Sequence, residues 1–155
     1  MPRMAGCIFA TLVVIACENI GYAAGQQKAR SGTDFTYSYD TPKIKLHGVL
    51  IKRKVYGPPG YGETPSKDTR TTILVLRLSH AIDVEPLPNA TPTETPDLDT
   101  VKSAREVQLF IGPSKRIDSE QFVGRTVTVV GTLHESITAS QYTKVWVDAE
   151  KLAPQ

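Results

Sequence analysis

The sequence predicts a small all-β domain, and three observations carry that prediction. Apolar and polar residues alternate with a period of two in five or six separate stretches. No stretch carries apolar residues at helical spacing for long enough to make an amphipathic helix. The 11 Gly and 11 Pro punctuate the chain between the alternating stretches, as turn residues do. With 155 residues, 40% apolar and 22% charged, the chain has the composition of one globular domain. A net charge of +2 does not mark a nucleic-acid binder.

The first stretch stands apart from this pattern. Arg3 precedes an apolar run from Met4 to Ala16 interrupted only by Gly6 and Thr11. A basic start followed by an apolar run too short to span a bilayer predicts an export signal. Gly21-Tyr22-Ala23 places small residues at the −3 and −1 positions, so residues 1–23 are expected to be removed. The alternative is a lipobox-like Val14-Ile15-Ala16-Cys17, with Cys17 as the lipidated first residue. Cys7 and Cys17 both fall in this segment, so a soluble mature chain would have no disulfide, thiolate metal site or cysteine nucleophile. The expected location is periplasmic or secreted, with a lipid anchor as the alternative.

Residues 24–42 are polar and rich in small side chains and are expected to form a tether. Within them Phe35, Tyr37 and Tyr39 alternate, which fits a segment lying extended along the domain. The domain proper is expected over 43–152. Ile44, Leu46 and Leu50 share one strand face, and Gly48 among them suggests a bulge or bend. Val49 and Ile51 add a second apolar face, as in a strand that serves two parts of a barrel. Thr71–Leu78 is apolar on both faces and is expected to be central, with Ala81–Val84 either its continuation or a separate short strand.

Residues 85–100 break the pattern with four Pro, the acids Glu85, Glu94, Asp97 and Asp99, and no Lys or Arg. They are expected to form an exposed loop of net charge −4, which leaves +6 on the remainder. Val107, Leu109 and Ile111 then alternate as a strand. Asp118 to Gly124 reads as one helical turn, with Asp118 as its cap and Gly124 as its stop. Arg125–Leu133 and Thr143–Leu152 close the chain as two further strands, the first with Val127, Val129 and Gly131 on one face, the second with Val145, Val147 and Ala149 facing one way and Trp146 the other. Five to six strands, a Gly-bent first strand and one short helix before the last pair fit a Greek-key barrel of the OB type. A β-sandwich is the alternative.

A family resemblance enters with Leu46-His47-Gly48-Val49-Leu50 and Gly57-Pro58-Pro59-Gly60-Tyr61-Gly62-Glu63. Together with Val107-Gln108-Leu109 and Val127–Leu133, these runs resemble the exported bacterial family catalogued as domain of unknown function 4431, over about 43–152. The resemblance implies a compartment and a class, and no activity.

The loop Gly57–Glu63 joins the first two strands, where OB-type barrels contact ligands. Tyr61 offers a ring for stacking and Glu63 a hydrogen-bond acceptor; otherwise the loop is a rigid turn with Tyr61 packed over the barrel end. The Gly-Lys-Ser/Thr ending of a phosphate loop is missing. Lys52-Arg53-Lys54 with Tyr56 is the compact basic run, so Lys52, Lys54 and Tyr56 join Tyr61 and Glu63 as candidate ligand contacts. The bland reading of that run is a solvated strand end.

His47, His80 and His134 have no second ligand at i+2 or i+4, so neither a metal nor a cofactor is expected. Glu63/Asp68 and Asp83/Glu85 are carboxylate pairs with no sign of desolvation, and Ser79-His80 lacks a nucleophile elbow. The expected function is a non-enzymatic binding or accessory module of the bacterial envelope contacting a protein or polymer, an inhibitor or immunity-type role being one form. The alternatives are a small hydrolase or transferase using carboxylates with His47 or His80, and an exported binder of anionic polymer or nucleic acid.

Overall fold

The computed structural model describes residues 35–88 and 98–155. The expected export signal with Cys7 and Cys17, the first part of the expected tether and residues 89–97 of the expected acidic loop lie outside the described residues. Six strands follow in order: β1 (Thr36–Ser38), β2 (Ile44–Tyr56), β3 (Arg70–Glu85), β4 (Val101–Phe110), β5 (Thr126–Glu135) and β6 (Val145–Pro154). One 3-10 turn, Glu120–Phe122, sits between β4 and β5, and no α-helix occurs among the described residues.

Five strands close a ring in the order β2-β3-β4-β6-β5 and back to β2, with β1 added outside on β3. β4 and β6 run parallel and the other four ring pairings are antiparallel, so the barrel is mixed. Ring closure excludes the sandwich alternative. The period-two pattern explains the core. Leu46 and Leu50 of β2, Leu76 of β3, Val107 of β4, Val127, Val129 and Leu133 of β5, and Val145, Val147 and Ala149 of β6 all point inward and are buried together.

β2 is the strand that makes closure possible. Residues 44–49 pair with β5 and residues 48–56 pair with β3, so the chain changes partners around Gly48. Of the bulge or bend expected there, the bulge is absent, since neither ladder shifts register at Gly48. Glycine serves close approach instead, because a Cβ at this position would lie 2.2 Å from the carbonyl oxygen of Arg77.

Of the two expectations for Ala81–Val84, continuation of β3 is the one that forms, with register shifts against β4 between Arg77 and Ile82 and between Ile82 and Val84. Other expectations are corrected by the pairing. Glu85 ends β3 rather than opening a loop, and its carboxylate accepts from Lys102 Nζ at 2.8 Å. β4 begins at Val101, because Lys102, Ser103, Arg105 and Glu106 hide the strand from an apolar count. The 3-10 turn is capped at Ser119, whose side chain makes no capping bond; the Asp118 carboxylate accepts from the Glu120 N–H at 3.2 Å. Gly124 follows with φ of +79°.

The aromatic alternation before β2 has a physical outcome. Thr36–Ser38 pairs in parallel with Asp83–Glu85, and Tyr39 is buried in the core cluster. Its hydroxyl donates to the Asp99 carbonyl at 3.0 Å, tying the amino-terminal arm to the end of the acidic loop. Burial, reinforced by the charges of Glu135 and Asp99, pushes this phenol up to about 12.

Gly48→Ala is expected to cost about 3 kcal/mol by urea denaturation, as backbone must separate from backbone. Gly124→Ala meets nothing within 4 Å and should cost only about 1 kcal/mol for its left-handed φ. Equal costs would show that the β2–β3 approach does not constrain the barrel.

Candidate functional site

The loop 57–69 between β2 and β3 is built around one carboxylate. Asp68 Oδ1 accepts from the Gly60 N–H and Oδ2 from the Gly62 N–H, each at 2.7 Å, while Thr64 Oγ1 donates to Oδ1 at 3.2 Å. Burial opposes its charge, but the bonds from Gly62, Gly60 and Thr64 prevail and hold this carboxyl below the usual range. Gly57 N–H donates to Thr69 and Thr69 N–H to Pro58, closing the loop's base at 2.8 and 3.0 Å. The Pro58-Pro59 peptide is cis.

This frame holds Tyr61 in an unusual state. Its φ is +51°, in the region that favours glycine, and its side chain remains 38% exposed. Local backbone strain at an exposed aromatic residue is a feature of ligand-contacting loops. Glu63 is exposed on the same loop, and its N–H donates to the Gly60 carbonyl at 3.0 Å. Tyr56, at the end of β2, carries the Arg70 guanidinium over its ring at 3.6 Å, and Arg70 Nη2 donates to its hydroxyl at 2.6 Å.

A second loop, 136–144 between β5 and β6, meets the first. Gln108 of β4 is only 3% exposed, although it lies between the core residues Val107 and Leu109, where alternation places it on the outer face. Its carboxamide donates to the Ser140 carbonyl at 3.2 Å and accepts from the Tyr142 N–H at 2.7 Å. Gln108 pairs with Val75 in the β3–β4 ladder, so the loop is held across the outer face at that point. Tyr142 then reaches over β3, and its hydroxyl donates to the Tyr56 carbonyl at 2.6 Å. Burial raises the Tyr142 phenol, with Tyr61 and Asp68 adding to the rise, so these three side chains share one electrostatic neighbourhood. Gln108 and Tyr142 were not among the residues singled out from sequence; a glutamine inside Val107-Gln108-Leu109 was the available signal.

An open cleft of about 440 Å³ adjoins this junction, lined by Ile73 and Leu74 of β3, Gln108 and Phe110 of β4, and Ile111 and Lys115 beyond it. Phe110 is one of the exposed large apolar side chains. Its ring meets the edge of Trp146 at 5.1 Å, and Trp146 stacks on His134 at 4.4 Å.

The basic run divides between two faces. Alternation sends Arg53 to the outer face, where Nη2 lies 2.7 Å from both oxygens of Glu106. The hydrogen bond from Arg53 leads, against burial, in lowering the Glu106 carboxyl, and the charges of Arg53 and Arg77 add to it. Lys52 points to the other face and pairs with Glu120 of the 3-10 turn at 2.6 Å. Lys54 is exposed two residues further along that face. The structure therefore brings Tyr56, Tyr61 and Glu63 to one end of the barrel, while Lys52 is directed toward the 3-10 turn.

The histidines are dispersed. His47 Nδ1 lies 3.1 Å from Thr128 Oγ1, and His80 packs on Phe35 with ring centroids 5.3 Å apart. Among the described residues, the histidine that contacts a carboxylate is His134, at 2.7 Å from Asp40, a pair 94 positions apart that spacing could not reveal. Asp68 is committed to its loop, and Asp83 accepts from the Ser103 N–H at 2.8 Å. Among the described residues, no group of three or more His, Cys, Asp or Glu side chains could hold a metal ion.

Asp68→Ala is expected to speed amide exchange at Gly60 and Gly62 while that of the barrel strands is unchanged. Because the folded carboxyl is depressed, the clamp is complete above the ordinary carboxylate range near pH 4 and is lost as pH falls through the lower folded value. Exchange at both glycines that is unaltered by the substitution would show that the clamp does not order the loop. Comparison with family models, curated proteins and solved structures finds no match to this chain.

Proposed function

We propose that the protein is a non-enzymatic binding module of the OB type that holds an extended segment of an envelope protein or polymer. The OB reading is supported by connectivity. The ring order β2-β3-β4-β6-β5, the parallel β4–β6 pair and the turn between β4 and β5 are compatible with a five-stranded Greek-key barrel of that type. Export is supported by the amino-terminal pattern.

One observation carries the binding reading: a strained, exposed Tyr61 on a loop made rigid by Asp68, with Tyr142 of the loop 136–144 bonded to the end of β2 at its base. Rigid loops cost little ordering entropy on binding, and an exposed ring at their tip supplies most of the contact energy. The adjoining cleft adds Ile73, Leu74 and the exposed Phe110, a surface suited to the apolar side chains of an extended segment. Arg70 on Tyr56 and Arg53 on Glu106 leave the face mixed in charge, which favours a protein or mixed polymer over a purely anionic one.

The test is affinity capture from bacterial envelope extract by the wild type, Tyr61→Ala, Tyr61→Gly and Phe110→Ala. Tyr61→Gly relieves the left-handed strain, so its Tm is expected to be unchanged or slightly raised, by about 1 kcal/mol of stability. All three variants should lose the captured partner. A capture profile indifferent to all of them, or a large drop in Tm for Tyr61→Gly, would show that Tyr61 is a packing residue.

A further inference from the structure

A second cleft lies away from the loops just described, where the sheet has a gap. β2 pairs with β3 from Gly48 onward, and β1 pairs with β3 from Asp83 onward. β4 occupies the opposite side of β3 at Ile82 and Val84, so β1 and β2 share one side of that strand. Among the described residues, no strand therefore lies beside Ser79–Ile82 on that side. β1 and the start of β2 splay apart over this stretch, bridged by the Tyr37 hydroxyl donating to the Lys45 carbonyl at 3.2 Å.

The cleft that results measures about 230 Å³. Leu46, Leu78 and Ile82 form its apolar floor, and Phe35 and Tyr37 supply aromatic walls. Among the described residues its ionisable side chains besides Tyr37 are Lys45, His47 and His80, with no acidic side chain, and Gln155 completes the lining. The apolar floor calls for a flat hydrocarbon body, and the ammonium with two imidazoles calls for an anionic group at the rim. An apolar cavity of about 150 Å³ accommodates benzene, so this cleft has room for one or two fused rings.

We propose that this cleft binds a small aromatic carboxylate. The ring lies on Leu46, Leu78 and Ile82 between Phe35 and Tyr37, and the carboxylate faces Lys45, His47 and His80. The site is separate from the Tyr61 loop and does not depend on the function assigned to that loop.

Titration of the full chain with 2-naphthoate at low salt tests the proposal, read by calorimetry and by backbone amide shifts. Saturable one-to-one binding with a Kd on the order of 100 µM is expected for a ligand of this size. Shifts should concentrate at residues 45–47 and 78–82. The uncharged 2-naphthylmethanol should bind about tenfold more weakly. Lys45 and His80 are both exposed, so the double variant Lys45→Ala/His80→Ala should keep its Tm while losing about tenfold in naphthoate affinity and little for the alcohol. Tyr61→Ala should leave naphthoate binding unchanged, separating this site from the envelope-binding loop. No saturable binding at millimolar naphthoate, equal affinity for acid and alcohol, or shifts confined to residues 57–69 would each overturn the proposal.

Discussion

The close approach of β2 and β3 at Gly48 governs the rest of the molecule. A strand that pairs with β5 over its first half and β3 over its second must curl sharply to do so, and the curl brings its backbone against the Arg77 carbonyl. With no side chain at Gly48, Leu46 and Leu50 on either side remain pointed into the barrel and the ring can close. The same divergence has a cost elsewhere in the sheet. Once β2 has left β3, the stretch Ser79–Ile82 loses its neighbour, and β1 recovers only Asp83–Glu85. The cleft lined by Phe35, Tyr37 and His80 is the space this leaves.

The outer surface is organised by polar groups that would be costly if left unpaired. Gln108 is nearly fully buried, so both ends of its carboxamide must find partners, and the loop 136–144 supplies them. Asp68 plays the corresponding part for the loop 57–69 through two backbone N–H groups. Tyr142 ties the loop 136–144 to the end of β2, where the loop 57–69 begins. The result is a pair of loops whose positions are set by polar groups, Gln108 on β4 for one and Asp68 within the loop itself for the other.

Several elements were legible because they depend on period alone. Val127, Val129 and Leu133, and Val145, Val147 and Ala149, alternate cleanly, and every one of them is fully buried. β4 was half hidden, because Lys102-Ser103-Ala104-Arg105-Glu106 is a bulged strand half whose outward side chains are held by ions: Lys102 by Glu85 and Glu106 by Arg53. Part of the candidate site was legible too: Tyr61 and Glu63 lie together on a loop that the Gly-Pro spacing announces. Lys52 and Arg53 were adjacent in sequence and yet serve opposite faces, since strand alternation separates neighbours by design.

The amino-acid sequence by itself determined the all-β class, the inward residues of most strands and the location of the turns, because each of these follows from patterns a few residues long. Ring closure, the parallel β4–β6 pair and the outer position of β1 were decided by the tertiary structure, since they join segments far apart in the chain. The same holds for the clamp on Tyr142, the His134–Asp40 pair and the gap beside Ser79–Ile82. Each is a contact, or a missing contact, between strands whose neighbours are chosen by how a twisted sheet closes on itself.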